Sequence, residues 1–273
     1  MPRLQTLLTS FLLALGLALG LAGCGGGGSS SSTPLNVSPG VYSGTVDGGQ
    51  WLTVLLPDTV TTNWYSLHYP TNNADLYSGK FSGVGSSAPS AATGELIYFP
   101  SNAKPLHSGS GSMSAPTSTS ISTNVSILQA GSDPGKNVSA SLNALTTTSR
   151  LADLQGTWTG EISHGNIAVI PNKDIVFSVN GNSGSAANFN FTSCAISNVT
   201  FTPSSQINVF NVSLQLAALD GCQFSEANPD VFTFTMTGIA VITSSPKTLY
   251  FLAIKTSGPK KGQGFSFKST SFQ

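Results

Sequence analysis

The sequence predicts an all-β protein of two tandem antiparallel lobes with about eight strands each, arranged as barrels or sandwiches. The first observation is an apolar period of two, in which Phe232, Phe234 and Met236 alternate with three threonines. This alternation is typical of strands with one buried face. The second is that Gly, Asn, Asp, Ser and Pro separate short apolar runs, as turns do.

The third observation is an internal repeat. The segment Gly40–Val46 (GVYSGTV) returns as Gly156–Ile162 (GTWTGEI), an offset of 116 residues from Gly40 to Gly156. Both copies have two glycines, an aromatic residue, a hydroxyl residue and a β-branched residue at matching positions. The repeat indicates a duplication, with chance similarity over a short segment as the alternative.

The chain divides into four parts. Residues 1–23 have the features of a signal peptide, with Arg3 before an apolar stretch and small residues at its end. A retained membrane helix is the alternative, but Thr9 and Ser10 interrupt the apolar stretch. Residues 24–39 predict a flexible Gly/Ser tether, 40–148 the first lobe and 149–273 the second.

Two local features are predicted inside the lobes. Ser149 is expected to cap a single helical turn that ends at Leu154, at the junction between the lobes. The apolar parity changes at Gly238 and between Val209 and Phe210, which predicts β-bulges or bends there.

Leu21-Ala22-Gly23-Cys24 resembles the lipobox of bacterial lipoproteins. The resemblance implies cleavage before Cys24, acylation of its sulfur and of the new amino terminus, and a membrane anchor of palmitate-type chains. In lipoproteins of diderm bacteria, a residue other than Asp after the cysteine favours the outer membrane, and here it is Gly25.

Cys194 and Cys222 remain once Cys24 is assigned to lipid. A disulfide between them is the natural interpretation for an exported protein. Two free buried thiols are the alternative. A metal site is less favoured, because no His or further Cys lies at ligand spacing.

Composition limits the classes of function. Charged residues are 8% of the chain, against about 25% in ordinary soluble proteins, and the formal net charge is zero. Nucleic-acid binding is therefore not expected. His68, His107 and His164 adjoin no nucleophile elbow, and no phosphate or dinucleotide motif occurs. We expect no enzyme activity, no cofactor and no metal.

Four aromatic residues in the first lobe are candidates for contact with a ligand or partner: Trp51, Trp64, Tyr65 and Tyr69. A period of two points Trp64 to one face of its strand and Tyr65, with Tyr69, to the other. One face is expected to be core. A second aromatic face would be exposed or would line a cavity, and exposed aromatic residues mark binding surfaces.

The segment Leu154–Gly160 (LQGTWTG) resembles the Gly-x-Trp opening of lipocalin-type barrels, and Gly40-Val41-Tyr42 is a weaker copy. The chain is also similar in this respect to the barrel lobes of the transferrin-binding protein B group. The resemblance implies compact eight-stranded barrels, with Trp158 as a plug of the second.

We expect an envelope lipoprotein with a non-enzymatic binding or structural role, whose partner is a protein, a glycan or a small apolar ligand. A calycin-like carrier of a small apolar ligand is the second interpretation, and an envelope hydrolase is the third. A carrier requires an open apolar cavity, whereas a structural or adhesive lobe is packed solid. A hydrolase requires at least two convergent titratable groups in a cleft.

Overall fold

The computed structural model is all-β, with two closed eight-stranded antiparallel barrels in tandem. This confirms the predicted fold class and selects barrels over sandwiches. No described helix has the length and hydropathy to cross a bilayer. The structure describes residues 38–46, 48–56, 61–69, 75–84, 92–100, 109–128, 136–164, 167–187, 194–206, 208–218, 232–255 and 264–273.

The first barrel is an up-and-down meander. Each strand pairs with the next along the chain, and the last returns to the first through the pairs Tyr42↔Ala144 and Ser43↔Asn143. Its strands are β1 Gly40–Val46, β2 Gly49–Leu56, β3 Thr61–Tyr69, β4 Asp75–Val84, β5 Ala92–Pro100, β6 Gly109–Thr117, β7 Ser120–Ile127 and β8 Lys136–Ala144.

The second barrel has the same meander topology, and its last strand pairs with its first through pairs such as Phe267↔Ile162. Its strands are β9 Gly156–His164, β10 Ile167–Asn180, β11 Ser183–Ala187, β12 Cys194–Pro203, β13 Val209–Ala218, β14 Phe232–Ser244, β15 Lys247–Ile254 and β16 Gly264–Phe272.

Each barrel has its own apolar interior. Successive side chains of a strand point to opposite faces, so every second residue enters the barrel. The interior of the first barrel includes Tyr42, Trp51, Trp64, Ile121 and Leu142. The interior of the second is larger in its described part and holds several fully buried aromatic residues: Trp158, Phe177, Phe201, Phe251 and Phe267.

A single 3-10 turn, Leu151–Leu154, joins the barrels, and it buries Leu151 and Leu154 as the sequence predicts. Its expected cap was wrong by one residue. The Arg150 backbone N–H donates to the Asp153 carboxylate over 2.6 Å, so Arg150 is the N-cap. Ser149 instead donates its hydroxyl to the Ile242 carbonyl over 3.3 Å.

Of the bulges or bends predicted at Gly238 and between Val209 and Phe210, the bulges are absent, and the alternative of a bend stays a prediction. The β13–β14 ladder runs without a shift from Val209↔Val241 to Ala218↔Phe232. The apolar parity changes because the outer face of these strands is buried as well. Register shifts occur elsewhere, between Ser114 and Thr117, Ile167 and Lys173, Ser197 and Thr200, and Ser269 and Ser271.

The two copies of the repeat have the same structural role. Each opens the first strand of a barrel, and its aromatic side chain donates to the carbonyl four residues earlier. Tyr42 Oη donates to Ser38 over 2.6 Å, and Trp158 Nε1 donates to Leu154 over 2.8 Å. The second glycine of each copy lies against the last strand of its barrel, where a Cβ would overlap the carbonyl oxygen of Ser141 or of Lys268.

Replacing Gly160 by Ala should destabilise the protein by about 3 kcal/mol, because the Lys268 backbone cannot move without breaking the ladder that closes the second barrel. Urea unfolding measures this change. Gly184→Ala is the matched control, since its Cβ would meet the Phe201 Cβ at 3.4 Å, and it should change stability by less than about 1 kcal/mol. Equal stability of the two variants would contradict the close approach at Gly160.

Candidate functional site: the first-barrel interior and the interbarrel interface

The outer faces of three strands from each barrel pack against each other. We call this contact the interbarrel interface. All of its residues are at most 7% exposed. The first barrel contributes Val41, Leu52, Val54, Tyr65, Leu67 and Tyr69, and the second contributes Val209, Ile239, Val241, Tyr250, Leu252 and Ile254.

Tyr69 makes the polar contact at this interface. Its hydroxyl donates to the Phe267 carbonyl over 3.2 Å, and its ring lies 5.3 Å from that of Tyr250. Burial raises the pKa of Tyr69 above its ordinary value of 10.0, although the neighbouring Ser266 hydroxyl lowers it in part. Burial also raises the pKa of Tyr250, to about 12. Both phenols are therefore neutral in the folded protein at physiological pH.

The segment after β8 is fixed to the second barrel by Asn208. This residue is buried and has φ of 74°, a left-handed conformation that Asn adopts more readily than most residues. Its Oδ1 accepts a short hydrogen bond from the Ser149 backbone N–H, and its Nδ2 donates to Thr147 Oγ1 over 3.4 Å. These contacts and the interbarrel interface hold the two barrels in one orientation.

The interior of the first barrel contains a buried polar group on β2 and β3. Trp51 Nε1 donates to Thr53 Oγ1 over 3.1 Å, and Thr53 Oγ1 lies 3.0 Å from Ser66 Oγ. His68 Nε2 lies 3.1 Å from the Val46 carbonyl, so Nε2 carries the proton, because a carbonyl only accepts. The rings of Trp51 and His68 are 5.1 Å apart.

A second polar position lies on β7. Thr123 is fully buried between Ile121 and Val125, which both face the interior. Its Oγ1 has no hydrogen-bond partner among the residues that the structure describes. An unsatisfied buried hydroxyl costs about 1–3 kcal/mol, so this position departs from ordinary core packing.

The described polar groups inside the second barrel are satisfied by the protein itself. Trp158 Nε1 donates to the Leu154 carbonyl, and the Leu249 backbone N–H donates to Ser269 Oγ over 2.8 Å. Aromatic rings also pack inside this barrel. The ring centroid of Phe201 lies 5.1 Å from that of Phe177 and 5.8 Å from that of Phe251. The ring centroids of Trp158 and Phe272 are 4.4 Å apart. Lys247 Nζ lies over the Phe272 ring, 3.5 Å from its centroid.

The four aromatic candidates divide between the two regions. Trp51 and Trp64 face the first-barrel interior, whereas Tyr65 and Tyr69 lie in the interbarrel interface and contact the second barrel. Contact of these residues with an external ligand or partner stays a prediction. Sequence reasoning did not select Thr53, Ser66 or Thr123. The available signal was a Thr or Ser at a core-facing position in a strand that is otherwise apolar there.

Other predicted positions lie outside the described residues. They include Cys24, Cys222 and His107, and the side chains of Cys194 and His164. No disulfide is present in the described part of the chain, so the Cys194–Cys222 pair stays a prediction. Among the side chains that are described, no group of three His, Cys, Asp or Glu residues is placed to hold a metal ion.

No protein-family model matches the chain, and no curated protein matches it.

Stability should fall as pH rises from 10 towards 12, because the buried phenols of Tyr69 and Tyr250 stay protonated while the unfolded chain loses protons near pH 10. The stabilisation is fully present below pH 10, and it is lost as the pH rises through the raised pKa values that the two phenols have in the folded protein. Tyr69→Phe should lose about 1 kcal/mol at pH 8, with its hydrogen bond to Phe267, and should show a shallower alkaline decline. Urea unfolding between pH 8 and 12 measures both effects. An equal alkaline fall of the free energy of unfolding in the wild type and in Tyr69→Phe would contradict a buried, neutral Tyr69 phenol.

Leu67→Asp should destabilise the protein by about 3 kcal/mol or more, because it places an unpaired carboxylate in the interbarrel interface. It should also speed proteolysis of the segment 145–150. Ser139→Asp on the exposed face of β8 is the control, with an expected change within about 0.5 kcal/mol. Similar unfolding curves for the two variants would show that the interface does not hold the barrels together.

Proposed function

We propose that the chain is a lipid-anchored protein of the cell envelope whose two-barrel body has a non-enzymatic binding or structural role. The anchor rests on the lipobox resemblance at Cys24 and on the Gly/Ser tether that follows it. The outer membrane, palmitate-type acylation and a Cys194–Cys222 disulfide belong to the same proposal.

The observation that carries the proposed role is the use of the apolar side chains. Most of those that the structure describes lie in three buried clusters, which are the two barrel interiors and the interbarrel interface. Such packing supports a structural scaffold. On β7 and β8 its outer surface is uncharged and hydrogen-bonding, with exposed Asn124, Asn137, Ser139, Ser141 and Asn143. A partner that contacts this surface would do so through hydrogen bonds, as a protein or a glycan can.

A calycin-like carrier of a small apolar ligand is the second candidate. In the first barrel, the buried polar group favours a ligand with hydrogen-bonding groups over a purely apolar one. Buried residues there with hydrogen-bonding side chains include Trp51, Thr53, Ser66, His68 and Thr123. The aromatic cluster inside the second barrel supports a packed structural lobe instead.

Cys24→Ser should abolish palmitate labelling and leave an unprocessed chain with its leader intact, because the lipidation step needs the thiol. Metabolic labelling, cell fractionation and intact-mass measurement test this. Cys194→Ser is the matched control and should keep both the label and the membrane localisation. Equal membrane retention and equal labelling of the Cys24→Ser variant would refute the anchor.

A further inference from the structure

We infer that the interior of the first barrel binds a small neutral molecule that both donates and accepts hydrogen bonds, at the hydroxyls of Thr53, Ser66 and Thr123. This inference deepens the proposed binding role and rests on it. It names one barrel and a chemical class that differs from the apolar ligand expected from the sequence.

Thr53 and Ser66 together have one more hydroxyl proton than the described residues accept. Trp51 donates to Thr53, and one of the two hydroxyls of Thr53 and Ser66 donates to the other. Whichever hydroxyl donates, the proton of the other has no acceptor among the described residues. Both residues are at most 2% exposed, so bulk water does not complete the pair.

Thr123 supplies the second, independent observation. Its strand, β7, is separated from β3 by three strands in either direction around the barrel, so its hydroxyl enters the interior from another part of the wall. The hydroxyl is completely buried and has no partner among the described residues. Among the described residues, unpaired hydroxyls therefore lie on opposite sides of the first-barrel interior.

The second barrel is an internal comparison. It has the same topology and opens with the same repeat, yet its described interior polar groups are satisfied by the protein. The second barrel does have a buried hydroxyl without a hydrogen-bond partner among the described residues, that of Ser266, but it lies on the opposite face of β16 from the interior residue Phe267 and neighbours Tyr69 at the interbarrel interface. Among the described residues, unpaired hydroxyls that face a barrel interior therefore belong to the first barrel. Because leaving such groups unpaired is costly, a guest that pairs them recovers part of that cost.

The side chains also select the chemistry of the guest. A purely apolar molecule would leave the hydroxyls unpaired. A charged molecule would need an opposite charge, and the described side chains of the interior include none that is permanently charged. A neutral molecule with one donor and one acceptor meets both conditions.

The test uses the mature full chain in detergent and two ring compounds of equal size, pyrazole as the neutral donor and acceptor and cyclopentene as its apolar match. Thermal unfolding and the fluorescence of the buried tryptophans are followed during titration. Pyrazole should raise the melting temperature and change the fluorescence, whereas cyclopentene should do neither.

Thr123→Val removes the hydroxyl while keeping the shape, and it should weaken pyrazole binding about tenfold. Thr202→Val, on the exposed face of β12, should bind pyrazole as the wild type does. If Thr123→Val fails to fold, Ser66→Ala takes its place with the same expectation.

Three results would overturn the inference. They are a larger stabilisation by cyclopentene than by pyrazole, equal pyrazole affinity in the wild type and in Thr123→Val, and no response to pyrazole together with a higher melting temperature of Thr123→Val. The last result would mean that the hydroxyl is simply unpaired or holds water alone. None of these bears on the anchor at Cys24, so failure here is distinguishable from failure of the envelope assignment.

Discussion

The burial of both faces of six strands is the constraint on which the rest of the structure depends. A closed barrel needs one buried face per strand, and its outer face is ordinarily solvated. Here β1–β3 and β13–β15 are apolar on the outside as well, and each set covers the other. This contact makes one body of two barrels, and it accounts for the aromatic residues on both faces of β3.

The interface joins unlike surfaces of two similar lobes. By position in the repeat, β13–β15 correspond to β5–β7, whereas the first barrel uses β1–β3. Such a head-to-tail contact can continue indefinitely if the equivalent surfaces remain adhesive. The described residues of these surfaces include exposed polar side chains, namely Asn124 on β7 and Asp174 and Ser178 on β10.

The two interiors show how the lobes have diverged around a common frame. The frame is the pair Gly44 and Gly160, where the last strand of each barrel crosses too close for a side chain, together with the bonds of Tyr42 and Trp158 to the preceding turn. Inside this frame the second barrel is filled by phenylalanine rings. The first carries hydroxyl groups on separate walls.

Much of the fold follows from the sequence alone. A period of two, closely spaced turn residues and the repeat at Gly40 and Gly156 determine an all-β chain of two eight-stranded lobes, because these signals are local. The use of each face was decided only by the tertiary structure. In β3 both faces are apolar, and the period of two does not say which face enters the barrel and which meets the other lobe. Tyr69 contacts Phe267, 198 residues away, and no local pattern encodes such a contact. The same reason explains the erroneous bulge at Gly238 and the hydroxyls of Thr53, Ser66 and Thr123, whose importance appears only once burial and hydrogen-bond partners are known.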